Sequence, residues 1–186
     1  MPRVLVLYGT NEGHTQDVVK VLRDAMTVAS PQVSVHLHAI ENAPAGTAGH
    51  DAVVLGSSIH LGAHHPEVEA WARDNSSELA TVPSAFFQVS LSSAAPAHAG
   101  EARAYVDHLV EATGWHPDLV GLFGGALLYT RYGYAKRHLV KAIAKHEGLG
   151  TDTHRDYDYT DYDAVRHFGA DVARLVCADR QGGVGS

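Results

Sequence analysis

Six consecutive residues, Thr10-Asn11-Glu12-Gly13-His14-Thr15, separate a short apolar run from a stretch of helical periodicity. In such a turn the free backbone N–H groups of the helix start, together with its dipole, favour an anion. The hydroxyls of Thr10 and Thr15 and the Asn11 amide can add hydrogen bonds. The turn lacks the Gly-Lys-Ser/Thr ending of a triphosphate loop and the three-glycine pattern of a dinucleotide loop, so a lone phosphate monoester is the better guest. Ordinary capping also selects Ser, Thr, Asn and Gly in any strand-to-helix turn, and this loop alone leaves that reading open.

Two further segments change the balance. Ser57-Ser58-Ile59-His60-Leu61-Gly62 mixes hydroxyl, apolar and glycine residues in a way that suits one edge and one face of a planar ring. Ser90-Leu91-Ser92-Ser93 repeats the pattern after the next strand. In a doubly wound sheet, ligands sit beyond the carboxyl ends of the strands where the strand order reverses, and loops after the first, third and fourth strands meet there.

Other chemistry-bearing residues have plainer accounts. The chain holds fourteen histidines, with His60, His64 and His65 on one segment and His36 and His38 on one side of a strand. No matching acidic or cysteine ligands complete a metal motif, so we expect no metal site. Tyr132 to Lys145 sets Leu139, Val140 and Ile143 near one face with Lys136, Arg137, Lys141 and Lys145 around it. That helix packs its stripe on the domain, touches a lipid surface as a peripheral contact, or frames a substrate. The run Asp156 to Asp163 alternates carboxylates with aromatic residues; Thr160 or Asp161 caps a last helix, and the rest is a solvated face or a docking patch for a redox protein.

The elements that position these residues follow from apolar patterning. Val4 to Tyr8 is a continuous apolar run ending at Gly9, as in a strand buried on both faces. Val18, Val19, Leu22, Ala25 and Met26 recur at helical spacing from Thr15 until Ser30-Pro31. Val33 to His38, Ala52 to Gly56 and Val82 to Val89 give the second, third and fourth strands, with a helix from Pro66 through Trp71 between the last two. A helix over His98 to Thr113 leads to a fifth strand, Leu119 to Leu128, whose three glycines signal a bulge or close backbone approach. Strands alternating with helices predict an α/β fold, a doubly wound five-stranded parallel sheet in the order 2-1-3-4-5. An insertion at or after the fifth strand comes next, then a closing helix from Thr160-Asp161 to about Cys177 and a frayed glycine-rich tail from Asp179 to Ser186.

Bulk properties set the limits. The chain's 186 residues suit one domain, residues 1–178, and 45% of them are apolar. A net charge of −7 disfavours nucleic acid as a partner. One cysteine, Cys177, permits neither an internal disulfide nor a thiolate cluster, as expected in a reducing, cytoplasmic setting. No run approaches the roughly 18 apolar residues of a membrane span, and residues 1–8 do not read as a secretion signal.

Thr10 to Thr15 resembles the phosphate loop of the flavodoxin superfamily, Thr/Ser-x-Thr-Gly-x-Thr, with Glu12 in place of the central hydroxyl. Along nearly the whole chain the sequence is similar to the menaquinone-dependent protoporphyrinogen dehydrogenases. The segments that carry this resemblance are Leu7 to Thr15, Gly56 to His65, Pro83 to Leu91, Gly125 to Tyr132, Gly150 to Thr153 and Tyr159 to Asp161. The resemblance implies a flavodoxin-like fold and FMN held by the three loops. It also implies a porphyrinogen as electron donor and a quinone as acceptor. His60 and Leu61 stand where relatives can show Arg and an aromatic residue, and Ser92-Ser93 replaces a more basic stretch. Because the flavin carries the redox chemistry, no side chain is assigned as a catalytic acid or base. Gly62 is expected to let a peptide reorient beside the ring when its N5 gains a proton. A flavodoxin-type electron carrier and a reductase holding another flavin, such as a deazaflavin, stay open as alternatives, as does the oligomeric state.

Overall fold

The computed structural model describes residues 1–146 and 148–182, the side chains of 134–136 and 180–182 excepted. Strand β1 (Arg3–Gly9) lies inside a parallel sheet between β2 (Ser34–Ala39) and β3 (Ala52–His60), and the sheet continues through β5 (Ser84–Ser90) to β6 (Leu119–Gly124). Its order, β2-β1-β3-β5-β6, is the predicted 2-1-3-4-5 with the short strand β4 (Ala63–His64) set aside.

Alternation along β1 explains why its apolar run is unbroken. Val4, Val6 and Tyr8 face one core, with Val18, Val19, Leu22 and Met26 of α1 (His14–Ala29) and Val165, Val172 and Val176 of α6 (Tyr162–Gly182). Leu5 and Leu7 face the other, with Val68 and Trp71 of α2 (Pro66–Asp74) and Val106 and Leu109 of α4 (Ala99–Thr113). Each core leucine or valine, wholly removed from water, contributes roughly 1.5–3 kcal/mol relative to exposure. Pro66 opens α2 at a position where its missing N–H costs nothing, and Gly114 ends α4 with φ +70, its N–H bonded to the Val110 carbonyl at 2.8 Å. The four-residue helix α3 (Ser76–Leu79) completes this side.

Three differences from the sequence-based elements bear on the site. First, β3 runs four residues beyond Gly56, because Ser57 and Ser58 pair in register with Gln88 and Val89 of β5. Residues Ser57 to His60 are therefore strand, and the turn is Leu61-Gly62 alone, from which β4 returns antiparallel to β3. Both turn residues have positive φ, +51 and +79, as a tight two-residue hairpin requires. Second, the expected fifth strand is divided. β6 ends at Gly124, and β7 (Ala126–Leu127) pairs with β8 (Tyr157–Asp158) in a separate two-stranded ribbon. Gly124 marks a close approach: a Cβ there would lie 2.3 Å from the Tyr159 carbonyl oxygen. Third, α6 continues to Gly182, past the expected end at Cys177; residues 183–186 of the expected frayed tail lie outside the described residues.

The insertion makes a small core of its own. Leu127, Tyr129, Tyr132, Val140 and Ala144 are buried together, the last two from α5 (Tyr134–His146). Asp161 caps α6 as expected, accepting from the Asp163 and Ala164 N–H groups at 3.0 Å each.

Candidate functional site

A cavity of about 610 Å3 opens at the carboxyl ends of β1, β3, β5 and β6. The expected site residues Asn11, Glu12, His14, Thr15, Ser58, Ile59, His60, Leu61, Gly62, Ser90, Leu91 and Ser92 all line it. Thr10, Gly13 and Ser57 do not, and each serves the backbone behind the wall. The Thr10 hydroxyl oxygen accepts the Gly13 N–H at 2.9 Å. Gly13 takes φ +87 immediately before α1, a conformation closed to most residues although open space surrounds it. Ser57, fully buried, accepts the His65 N–H at 2.9 Å and donates to the Ser58 carbonyl at 3.2 Å, which ties the hairpin down.

The first loop therefore leaves the opening N–H groups of α1 at the cavity, where the helix dipole favours negative charge. His14 is braced from behind. Its Nε2 lies 2.7 Å from the Thr160 hydroxyl oxygen, whose own hydrogen goes to the Gly124 carbonyl at 2.8 Å. Nε2 is then the donor, and Asp158 Oδ1 stands 3.5 Å away. Burial pushes the Asp158 carboxyl upward, but the Thr160 N–H, the Tyr162 hydroxyl and His14 outweigh it and hold the carboxyl below its ordinary range.

On the ring side, Ser90 is committed to its own turn, accepting the Ser93 N–H at 3.1 Å while its carbonyl accepts the Gly125 N–H at 2.9 Å. A Cβ at Gly125 would come within 3.3 Å of the Ser90 backbone, so glycine lets the two segments meet. His60 lines the cavity. His64, by contrast, is buried beneath the hairpin: Nε2 donates to the Tyr105 carbonyl at 2.9 Å, and the ring packs edge-on to Phe86. Burial lowers its pKa, so it is a neutral core residue. His36 faces His50, with ring nitrogens 3.0 Å apart at the sheet edge, away from the cavity.

The sequence offered the insertion as a frame for substrate but did not single out the residues of this opposite wall as site residues. Gly125, Ala126 and Leu127, Tyr132, and Leu139, Val140 and Ile143 of α5 line it, and Glu101 and Tyr105 of α4 close one side. Tyr105 donates to Glu101 at 2.8 Å. The apolar stripe of α5 was visible as a pattern, but only the fold turns it toward the loops.

Leu61 and Leu139 are exposed large apolar residues, 68% and 51% accessible, and they stand at the cavity from different elements. Exposing a leucine at φ +51 is costly twice, in backbone conformation and in apolar surface.

A parallel sheet in this order, with hydroxyl-rich loops at its carboxyl edge around a helix N-terminus, defines a flavodoxin-type protein. Comparisons with known proteins agree. A family model described as "Flavodoxin domain" matches residues 5–154. A protein of Leishmania major named "Protoporphyrinogen IX dehydrogenase [quinone]" is 32% identical over 95% of this chain and 77% of its own length. One of the same name from Escherichia coli (strain K12) is 30% identical over 94% of this chain and 96% of its own. A short-chain flavodoxin associated with a bacterial microcompartment superposes with a TM-score of 0.59 at 16% identity, covering 95% of this chain and 99% of its own. The chain belongs to the flavodoxin-domain family and, within it, to the group of the protoporphyrinogen IX dehydrogenases. It is a flavin oxidoreductase of flavodoxin-like fold.

The residues present suit a flavin. One end of the cavity is a helix N-terminus formed through a left-handed glycine, and the middle is a slot between two glycine-bearing segments. The volume falls within the usual range of cofactor pockets.

Proposed function

We propose that this chain binds FMN and oxidises a protoporphyrinogen, or a related reduced tetrapyrrole, with a quinone as acceptor. The observation that carries this reading is the two-sided wall of the cavity. Polar loops of the sheet form one side, and Leu139, Val140 and Ile143 of the insertion form an apolar second side. A protein that only shuttles electrons needs an accessible flavin edge; an apolar wall over the cavity suits a flat, largely apolar substrate. The names of the two curated relatives point to the same donor and acceptor.

When bound, FMN supplies the redox chemistry, and the chain supplies placement and environment. The α1 N–H groups, those of His14 and Thr15 included, with the side chains of Asn11 and Thr15, would hold the phosphate. Ser58 to Gly62 and Ser90 to Ser92 would flank the ring. Leu61, Leu139 and Ile143 would exclude water and give the substrate its apolar contact.

Residues 132–145 serve this pocket in our reading rather than a lipid surface, because Val140 and Ala144 are already buried in the insertion's core. No helix among the described residues is long and apolar enough to cross a membrane. The carboxylates of the acidic-aromatic run also have local work: Asp156 accepts from the Thr130 N–H and hydroxyl at 2.9 and 2.8 Å, and Asp158 accepts from Thr160 and Tyr162.

The test is anaerobic reduction of the FMN-loaded protein by protoporphyrinogen, followed by reoxidation with menaquinone, with NAD(P)H as competing donor. Bleaching by the porphyrinogen and recovery with the quinone support the reading. Reduction by NAD(P)H alone, or by neither, contradicts it. The mass and absorption spectrum of the extracted cofactor separate FMN from a deazaflavin.

A further inference from the structure

Oxidising a porphyrinogen takes more than an electron acceptor. Each two-electron step breaks a C–H bond at a bridging methylene, whose hydrogen leaves with both electrons, and a pyrrole N–H bond, whose electron pair stays on nitrogen while the proton departs. The flavin accounts for the first, and the second calls for a base within reach of the cavity.

Among the described residues lining the cavity, His14 and Glu12 belong to the end assigned to the phosphate and bond to Thr160 and Tyr132. On the ring side, the start of α4 brings a carboxylate and a phenol together. Glu101 and Tyr105 lie one helical turn apart and share a face, and the Tyr105 hydroxyl donates to Glu101 Oε1 at 2.8 Å. His98 Nδ1 stands 3.6 Å from Oε2, and the Glu101 side chain is 42% exposed, so water also reaches the carboxylate. A Cβ on Gly62 would lie 3.8 Å from the Tyr105 hydroxyl oxygen, which puts the pair beside the turn that flanks the ring in the reading above.

The sheet commits buried polar groups to this turn of α4. Gln88 of β5, wholly buried, donates from Nε2 to the Ala102 carbonyl at 3.2 Å and to the Ser90 hydroxyl oxygen at 3.1 Å. His64 of β4 donates to the Tyr105 carbonyl at 2.9 Å. Burying an amide and an imidazole is unfavourable unless their bonds are made, and these bonds tie the segment from Glu101 to Tyr105 to the end of β5 and to the hairpin.

Resting on the porphyrinogen reading above, we propose that Glu101 is the catalytic base that accepts the pyrrole N–H proton, and that Tyr105 is a positioning residue that orients its carboxylate. In each step the C–H hydrogen passes with its electron pair to the bound FMN, and the electrons go on to the quinone. The N–H electron pair joins the new C=N conjugation, and the proton rests on Glu101 until water takes it. The quinone ends with two electrons and two protons, so the step balances.

The test uses the FMN-loaded wild type, Glu101→Gln, Glu101→Ala, Tyr105→Phe and the double variant of Glu101→Gln with Tyr105→Phe. Two binding readouts need no turnover: the FMN dissociation constant, and retention of protoporphyrinogen by the dithionite-reduced holoprotein in anaerobic ultrafiltration. The third readout is the anaerobic bleaching rate at saturating protoporphyrinogen, and melting of each variant is the folding control. Removal of a general base predicts bleaching about 100-fold slower or more in Glu101→Gln, with both binding constants within about threefold of wild type. Formate should restore part of the rate to Glu101→Ala and leave the wild type unchanged. Tyr105→Phe, which loses a hydrogen bond to a charged group, should slow bleaching about tenfold and have little further effect in the Glu101→Gln background. A Glu101→Gln rate within about threefold of wild type, a loss matched by weaker binding of either ligand, or no recovery with formate would overturn the base. A Tyr105→Phe loss that persists in the double variant would overturn the positioning role, and if Tyr105→Phe does not fold, the Glu101 variants alone decide. A wild type that protoporphyrinogen does not bleach rejects the porphyrinogen reading itself, and the base with it.

Discussion

The two walls of the cavity are built on different principles. On the sheet side, the turns are shaped by local hydrogen bonds, Thr10 bracing Gly13, Ser90 bracing Ser93 and Ser57 holding His65 eight residues on, while His14 and Asn11 reach Thr160 and Ser58. On the insertion side, single side chains reach across long stretches of chain. Tyr129 donates to the Gly150 carbonyl at 3.0 Å, Gly150 donates to the Tyr159 hydroxyl at 2.7 Å, Thr130 binds Asp156, and Tyr132 reaches Glu12. A ledge built from local turns on a buried sheet is rigid and generic, and it suits a cofactor. A cap joined by side chains can vary without disturbing the sheet, and it suits the choice of substrate. In the reading proposed above, flavin binding would fall chiefly to the first wall and the choice of substrate chiefly to the second.

The largest effect should come from breaking the ledge. Gly13→Val places a β-branched residue at φ +87, a conformation costing roughly 1–3 kcal/mol, and should weaken FMN binding by about 10–100-fold in a fluorescence titration. An unchanged affinity would mean that the α1 start does not hold the phosphate. Next is the seam between the walls. Gly124→Ala drives a Cβ into the Tyr159 carbonyl and should cost about 1–3 kcal/mol in thermal or denaturant unfolding. A melting point equal to the wild type's would show that the seam is loose.

The smallest effect is a pH dependence confined to the ledge. His64 is held neutral in the fold, with its pKa below the ordinary 6.5, so below that pH the unfolded chain binds more protons than the folded one. Its contribution to stability is complete above about pH 6.5 and is lost as the pH falls from there toward the folded value. Melting curves at pH 7.5 and 5.5 should show this loss, and His64→Gln, which can keep a donor for the Tyr105 carbonyl without titrating, should reduce it. An identical loss in the variant would place the dependence elsewhere, His50 being the next candidate because burial and His36 lower its pKa too.

The ledge was legible in the sequence because its signals are local. Apolar runs mark β1, β3 and β5, and hydroxyls and glycines mark the loops at their carboxyl ends. Even there, the extension of β3 through Ser57 and Ser58 was hidden, since polar residues in a strand are explained only by partners such as Gln88 and Val89. The left-handed conformation of Leu61 was equally hidden, because nothing in a leucine announces it. The cap was legible only as an insertion with an amphipathic helix. Its ribbon has two residues per strand, too short for periodicity to register, and its bonds join residues up to 120 apart. Tyr132 stood out through the family resemblance of its segment, but its hydrogen bond to Glu12 is a property of the fold.

The division of labour is tested most directly with Leu139→Glu, a change at a half-exposed position on α5 that the fold should tolerate. In one FMN-loaded preparation, the FMN dissociation constant and the rate of anaerobic flavin bleaching by protoporphyrinogen are both measured. Separate roles for the two walls predict a bleaching rate about tenfold lower at limiting substrate, in line with losing the contact of one apolar side chain, with the FMN constant within about twofold of wild type. An unchanged bleaching rate, or a parallel loss of FMN, would contradict that division.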